Sequence, residues 1–131
     1  MKNTSDNNFS ISNKTKGKTP SLPFQEMKEY VLGKNYELSL VFVSDKKSQE
    51  LNKIYRNKNK PANILSFPLE KNEGEIFINL KKCKETSKEF DRKIDNFIAF
   101  LFIHGLTHLK GFEHSSKMES EEEIVRKKFN I

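Results

Sequence analysis

The chain has 131 residues, 34% hydrophobic and 32% charged, with a formal net charge of +6 and a single cysteine. One cysteine gives no disulfide framework and fits a reducing compartment. The longest apolar run falls far short of the ~18 residues of a membrane span, and the opening MKNTSDNNFS lacks the apolar stretch of a signal peptide. The expectation is one cytoplasmic domain, residues 1–131, with no membrane contact.

Residues 1–19 are polar, and only Phe9, Ser10 and Ile11 hint at strand alternation, so this end is expected to be loose in part. Ser21 is positioned to cap a helix over 22–33, with Leu22, Phe24, Met27, Val31 and Leu32 on its apolar side and Gly33 ending it. YELSLVFV (36–43) predicts a strand that becomes fully apolar at its end, hence buried on both faces. Ser44 or Asp45 then caps a second helix that turns Leu51, Ile54 and Tyr55 inward. Pro61 breaks it, Ile64 to Phe67 make a short strand, and Pro68 limits that strand. In GEIFINL, Ile76, Ile78 and Leu80 alternate with Glu75, Phe77 and Asn79, a strand over 75–80. A polar helical connection over 81–90 leads to a long, buried helix from about Asp91 to Lys110. A last helix carries Met118, Ile124, Val125 and Phe129 towards the core.

The charge is unevenly placed. Residues 14–60 hold eleven Lys or Arg against five Asp or Glu, the whole of the excess. Such an interval is the electrostatic footprint expected of a nucleic-acid partner, although scattered solvated lysines give the same count.

The chemistry concentrates in FIAFLFIHGLTHLKGFEH, which holds all three histidines. On a helix His104 and His108, four apart, project side by side. Gly111 then allows the chain to stop and reverse, which brings His114 back towards the pair. The spacing H-x-x-x-H-x-x-G-x-x-H has the histidine and glycine positions of a metzincin zinc site, with Gly105 where those proteases carry a catalytic Glu. Three neutral imidazoles suit one divalent transition ion per chain, zinc above all, and leave a fourth position for water. Cys83, distant in sequence, is the remaining candidate for a fourth ligand.

HGLTHLKGFEH, taken with LNKIYRNKNKPANILSFPLE and GEIFINL, resembles the YbeY family of bacterial metal-dependent endoribonucleases, which are linked to ribosomal RNA maturation and ribosome quality control. The histidine motif of that family is matched by His104, Gly105, His108, Leu109, Gly111, Phe112 and His114, with Glu113 for the usual Asp. Its upstream signature is matched by Leu51, Asn52, Tyr55, Arg56, Lys58, Pro61, Asn63, Leu65, Ser66, Phe67 and Pro68. There Asn59 replaces Asp, Ala62 replaces Thr and Ile64 replaces Val. The resemblance covers about residues 36 to 129. It implies an α+β fold in which a small mixed β-sheet packs against a central histidine-bearing helix with a zincin-like metal site. It also places Arg56 in the active site.

The leading expectation is a metal-dependent, single-strand-specific endoribonuclease acting on ribosomal RNA, with ribosomal proteins or the small ribosomal subunit as further partners. His104, His108 and His114 hold the metal, His114 and Arg56 form the catalytic set, and Arg56 also binds the scissile phosphate. Two other classes compete: a metallohydrolase of another substrate, and a non-catalytic, zinc-stabilised ribosome assembly factor. The missing Glu at 105 argues against a protease, and the proton acceptor is not identified.

Overall fold

A computed structural model describes residues 3–6 and 8–131; what was expected of residues 1, 2 and 7 lies outside them. Five strands and five helices follow in the order β1 (Asn3–Asp6), β2 (Phe9–Asn13), α1 (Phe24–Leu32), β3 (Glu37–Val43), α2 (Asp45–Arg56), β4 (Ile64–Glu70), β5 (Glu73–Asn79), α3 (Leu80–Ser87), α4 (Ile94–Leu109) and α5 (Ser116–Phe129). The fold is α+β, as expected. The strands form one mixed sheet in the order β1-β2-β3-β5-β4. Its inner pairs, β2 with β3 and β3 with β5, are parallel; the outer pairs are antiparallel. Parallel neighbours need a crossover, and α1 and α2 lie on the two crossovers that lead into and out of β3.

Alternation divides the sheet into two faces. Leu38, Leu40 and Phe42 of β3 and Ile76 and Ile78 of β5 are buried in one core with Phe24, Met27 and Val31 of α1 and the apolar body of α4. Phe24 meets the Phe102 ring edge-on at 5.0 Å. The opposite face presents Leu65, Phe67 and Phe77, and α2 covers it, with Tyr55 against Phe67 at 5.0 Å. A 16-residue α4 is the longest helix, and no helix among the described residues is long and apolar enough to cross a membrane.

Several boundaries differ from expectation, each for a local reason. The N-terminal segment is more regular than expected, because β1 pairs with β2 in an antiparallel register running from Asn3↔Ser12 to Asp6↔Phe9. Helix α1 starts at Phe24 after Pro23, not at Ser21, and has no side-chain cap. Ser44 does cap α2, its side chain accepting from the Lys47 N–H at 3.1 Å. Within α2 the buried residues are Ser48, Leu51 and Asn52, while Ile54 and Tyr55 are exposed (71% and 65%). Polar anchors set that phase. Asn79 Nδ2 donates to Ser48 Oγ and Asp45 Oδ1, and Asn52 Nδ2 donates to the Lys60 carbonyl. These bonds turn Ile54 and Tyr55 outward. The Asn79 bond, ahead of the cationic neighbours Lys81 and Lys82, also holds the Asp45 carboxyl below its usual range.

Strand β4 runs through Pro68 to Glu70 with an irregularity after the proline. As an outer strand, it tolerates a missing N–H. Strand β5 stops one residue early, because the Asn79 side chain accepts from the Lys82 N–H and caps α3 at Leu80. Asp91, with φ 52°, lies in the turn before α4. In α5 the buried stripe is Met118, Glu122 and Val125, with Phe129 partly buried, whereas Ile124 is exposed. At ~100° per residue, Ile124 falls about 130° from the middle of that stripe, and the carboxylate of Glu122 takes the inward place.

Candidate metal centre

His104 and His108 sit on the last two turns of α4, on the side that faces β4 and α5. The helix ends through Gly111, whose φ of 110° suits a residue without a Cβ. The Gly111 N–H donates to the His108 carbonyl and the Phe112 N–H to that of Thr107, which folds the chain back. His114 then faces the other two. The three imidazoles offer one ligand nitrogen each, all within 4.8 Å of one another. Their ring centroids lie 4.6 to 5.3 Å apart. His104 and His108 are half-buried, and His114 is exposed.

Burial, and next the neighbouring imidazoles, push the His108 pKa below its ordinary value; a backbone hydrogen bond at Phe112 opposes this, and the Arg56 charge adds to it. The favoured neutral ring is the form that ligates metal. A hydrogen bond orients His104: its Nδ1 lies 3.1 Å from Oε1 of Glu122, a residue 6% exposed. A carboxylate accepts and does not donate, so the proton sits on Nδ1 and the Nε2 lone pair is free for a metal. Arg126 approaches the same carboxylate at 4.0 Å. This acid–imidazole pairing is the usual companion of a metal-ligating histidine.

The donor set therefore fits a divalent transition ion. Among the described residues no Cys, Asp or Glu joins the three imidazoles as a further ligand. Cys83 is fully buried on α3, with Sγ 3.9 Å from the Asn63 carbonyl and a thiol that burial pushes up to about 12. Three histidines with a free position resemble catalytic rather than structural zinc sites.

Arg56, the last residue of α2, lines a cavity of about 330 Å³ together with the three histidines, Ser66 and Pro68. The structure thus brings together all four residues singled out from the sequence. Glu113 is exposed on the turn and does not line this cavity, and Asn59, where the family motif has Asp, accepts from Gln49 Nε2 at 3.0 Å.

Gly105 sits where α4 presses on β4 and β5. A Cβ there would lie 2.8 Å from Ser66 Oγ and 3.0 to 3.1 Å from the terminal methyls of Ile64 and Ile76. Its side of the helix faces the sheet, so a glutamate at this position has no room. Glu122 is not among the residues that the sequence motifs single out. The signal was there: it is the charged member of the 118-122-125-129 helical stripe.

The model of the family described as Endoribonuclease YbeY matches residues 2–131. This chain belongs to the YbeY family. Proteins named Endoribonuclease YbeY from Nautilia profundicola and Halalkalibacterium halodurans are 37% and 36% identical to it. The first alignment covers 78% of each chain, the second 70% of this one and 67% of its relative. The solution structure of TM1509 from Thermotoga maritima shares the fold with a TM-score of 0.64, at 24% identity over 93% of this chain and 91% of that one. As a member of the YbeY family the chain is an endoribonuclease, an enzyme that hydrolyses RNA, and its histidine triad can hold a metal ion.

Proposed function

We propose that this chain is a metal-dependent, single-strand-specific endoribonuclease that matures ribosomal RNA in the cytoplasm and acts in ribosome quality control. Its further partners are ribosomal proteins or the small ribosomal subunit. One zinc ion per chain is the cofactor, held by His104, His108 and His114. The observation that carries this is the meeting of three imidazoles and one guanidinium in a single open cavity. A bound divalent ion supplies Lewis acidity and a lowered water pKa. The chain's own residues do the rest. The Arg56 fork grips two oxygens of the scissile phosphate and neutralises charge that develops there, a geometry Lys does not reproduce. His114, the most exposed of the three, completes the catalytic set at the mouth of the cavity. Glu122 fixes the His104 ring so that Nε2 faces inward.

The test joins metal analysis to RNA cleavage, on protein purified without added metal or a histidine tag. We expect about one transition ion per chain, lost with cleavage in His104→Ala/His108→Ala. Arg56→Lys, at matched metal content, is expected to cleave single-stranded ribosomal RNA ~10²–10³-fold more slowly. Metal content unchanged by the double substitution overturns the triad, and equal rates remove Arg56 from the catalytic set.

A further inference from the structure

The outward turn of α2 leaves an aromatic surface beside the cavity. Tyr55 is 65% exposed and leans on Phe67, with ring centroids 5.0 Å apart at 50°. Phe67 in turn meets Phe77 edge-on at 5.9 Å. With Leu51, Pro68 and the half-exposed Leu69, these rings line a groove of about 230 Å³. Concave surfaces lined by apolar and aromatic side chains with a few polar groups are where small flat ligands commonly bind.

The groove lies on the other face of the outer strand β4 from the histidine cavity, and the two meet at the strand's edge. Pro68 lines both, and Tyr55 directly precedes Arg56 in α2. An RNA chain whose phosphate is gripped by Arg56 must therefore leave the cavity past these rings or away from them. Charge favours the first course. Lys53, Arg56, Lys58 and Lys60 are all exposed, and the stretch from 51 to 69 has no acidic residue. The one carboxylate lining the groove is Glu75 of β5. It repels a phosphate from the groove itself and accepts a hydrogen bond from the exocyclic amine of a base.

We propose that this groove is a stacking subsite for one unpaired nucleobase next to the scissile phosphate, which rests on the nuclease assignment above. The base stacks on Tyr55 and Phe67, and its backbone stays outside among the lysines. Every base has a π-face, so such a platform tolerates sequence, whereas a base within a duplex has no free face to offer. Strand selectivity then comes from the groove and phosphate chemistry from the histidine cavity.

The experiment measures binding of a labelled single-stranded RNA, on a timescale short of cleavage, to wild-type holoprotein, Tyr55→Ala and Tyr55→Phe. It also uses a set of RNAs with one abasic residue moved along the chain. Because Tyr55 is exposed, neither substitution empties the core, and metal content checks the fold. Tyr55→Ala should weaken binding about 5- to 100-fold and Tyr55→Phe should bind nearly as wild type. One abasic position should cost the wild type a similar factor and cost Tyr55→Ala nothing further. Equal binding by Tyr55→Ala and wild type overturns the subsite, as does an abasic penalty that is the same in both. Self-association lost in Tyr55→Ala with RNA binding intact would make the groove an interface between copies of this chain, and also overturns it. Wild-type protein that binds no single-stranded RNA is the distinct outcome that fails the nuclease assignment and takes the subsite with it.

Discussion

Nδ1 of His104 faces the buried carboxylate of Glu122 at 3.1 Å, and this one hydrogen bond settles which nitrogen is left for a metal. The ring is held from α5 while it is presented from α4. Removing the carboxylate frees the ring to rotate. Glu122→Ala should therefore weaken metal affinity by about 10–100-fold, and Glu122→Gln by less, since an amide oxygen still accepts from Nδ1. Competition against a chromogenic chelator reads this directly, and melting of metal-free protein separates it from stability. Unchanged affinity in both variants would reduce Glu122 to a packing partner of Arg126.

At the scale of elements, the metal centre depends on how closely α4 approaches β4. Gly105 makes that approach possible, since Ser66, Ile64 and Ile76 already occupy the space a side chain would need. The same closeness brings Ser66 and Pro68 to the wall of the cavity beside His104 and His108. Restoring the protease-like glutamate should therefore not create a protease. Gly105→Glu forces a charged side chain against a filled sheet face, a cost of about 3 kcal/mol or more from overpacking and charge burial. Urea unfolding followed by far-UV circular dichroism checks it, and a midpoint equal to wild type would mean that the helix and strand separate freely.

Over the whole molecule, the basic excess of residues 14–60 is not one patch. Lys28 is buried in α1, where its Nζ reaches the Lys34 carbonyl at 3.1 Å. Lys53, Arg56, Lys58 and Lys60 are instead exposed at the end of α2 and just beyond it, and of these Arg56 lines the cavity. Phosphates neutralised there release counterions, so affinity for single-stranded RNA should fall linearly with salt on a double-logarithmic plot. Each phosphate that a lysine neutralises adds ~0.7 to the slope for a single strand. Replacing Lys53, Lys58 and Lys60 by Ala should therefore make the slope shallower by about two. A slope unchanged by the triple substitution would place the footprint elsewhere.

The sequence by itself determined the triad, because its geometry is local. Two histidines four apart on one helix and a glycine that permits reversal need no distant partner to define them. Alternation likewise marked β3 and β5, and two separated motifs carried the family and, with it, Arg56. Only the tertiary structure decided which way amphipathic faces point. Tyr55 looks like core by helical spacing and is exposed, because Ser48 and Asn52 take the inward side through hydrogen bonds to Asn79 and Lys60. Glu122 looks like solvated surface and is buried, because the ring it orients arrives from another helix. Periodicity states that a face exists. What packs against it is set by residues 8 to 31 positions away in these cases, and burial follows from that packing.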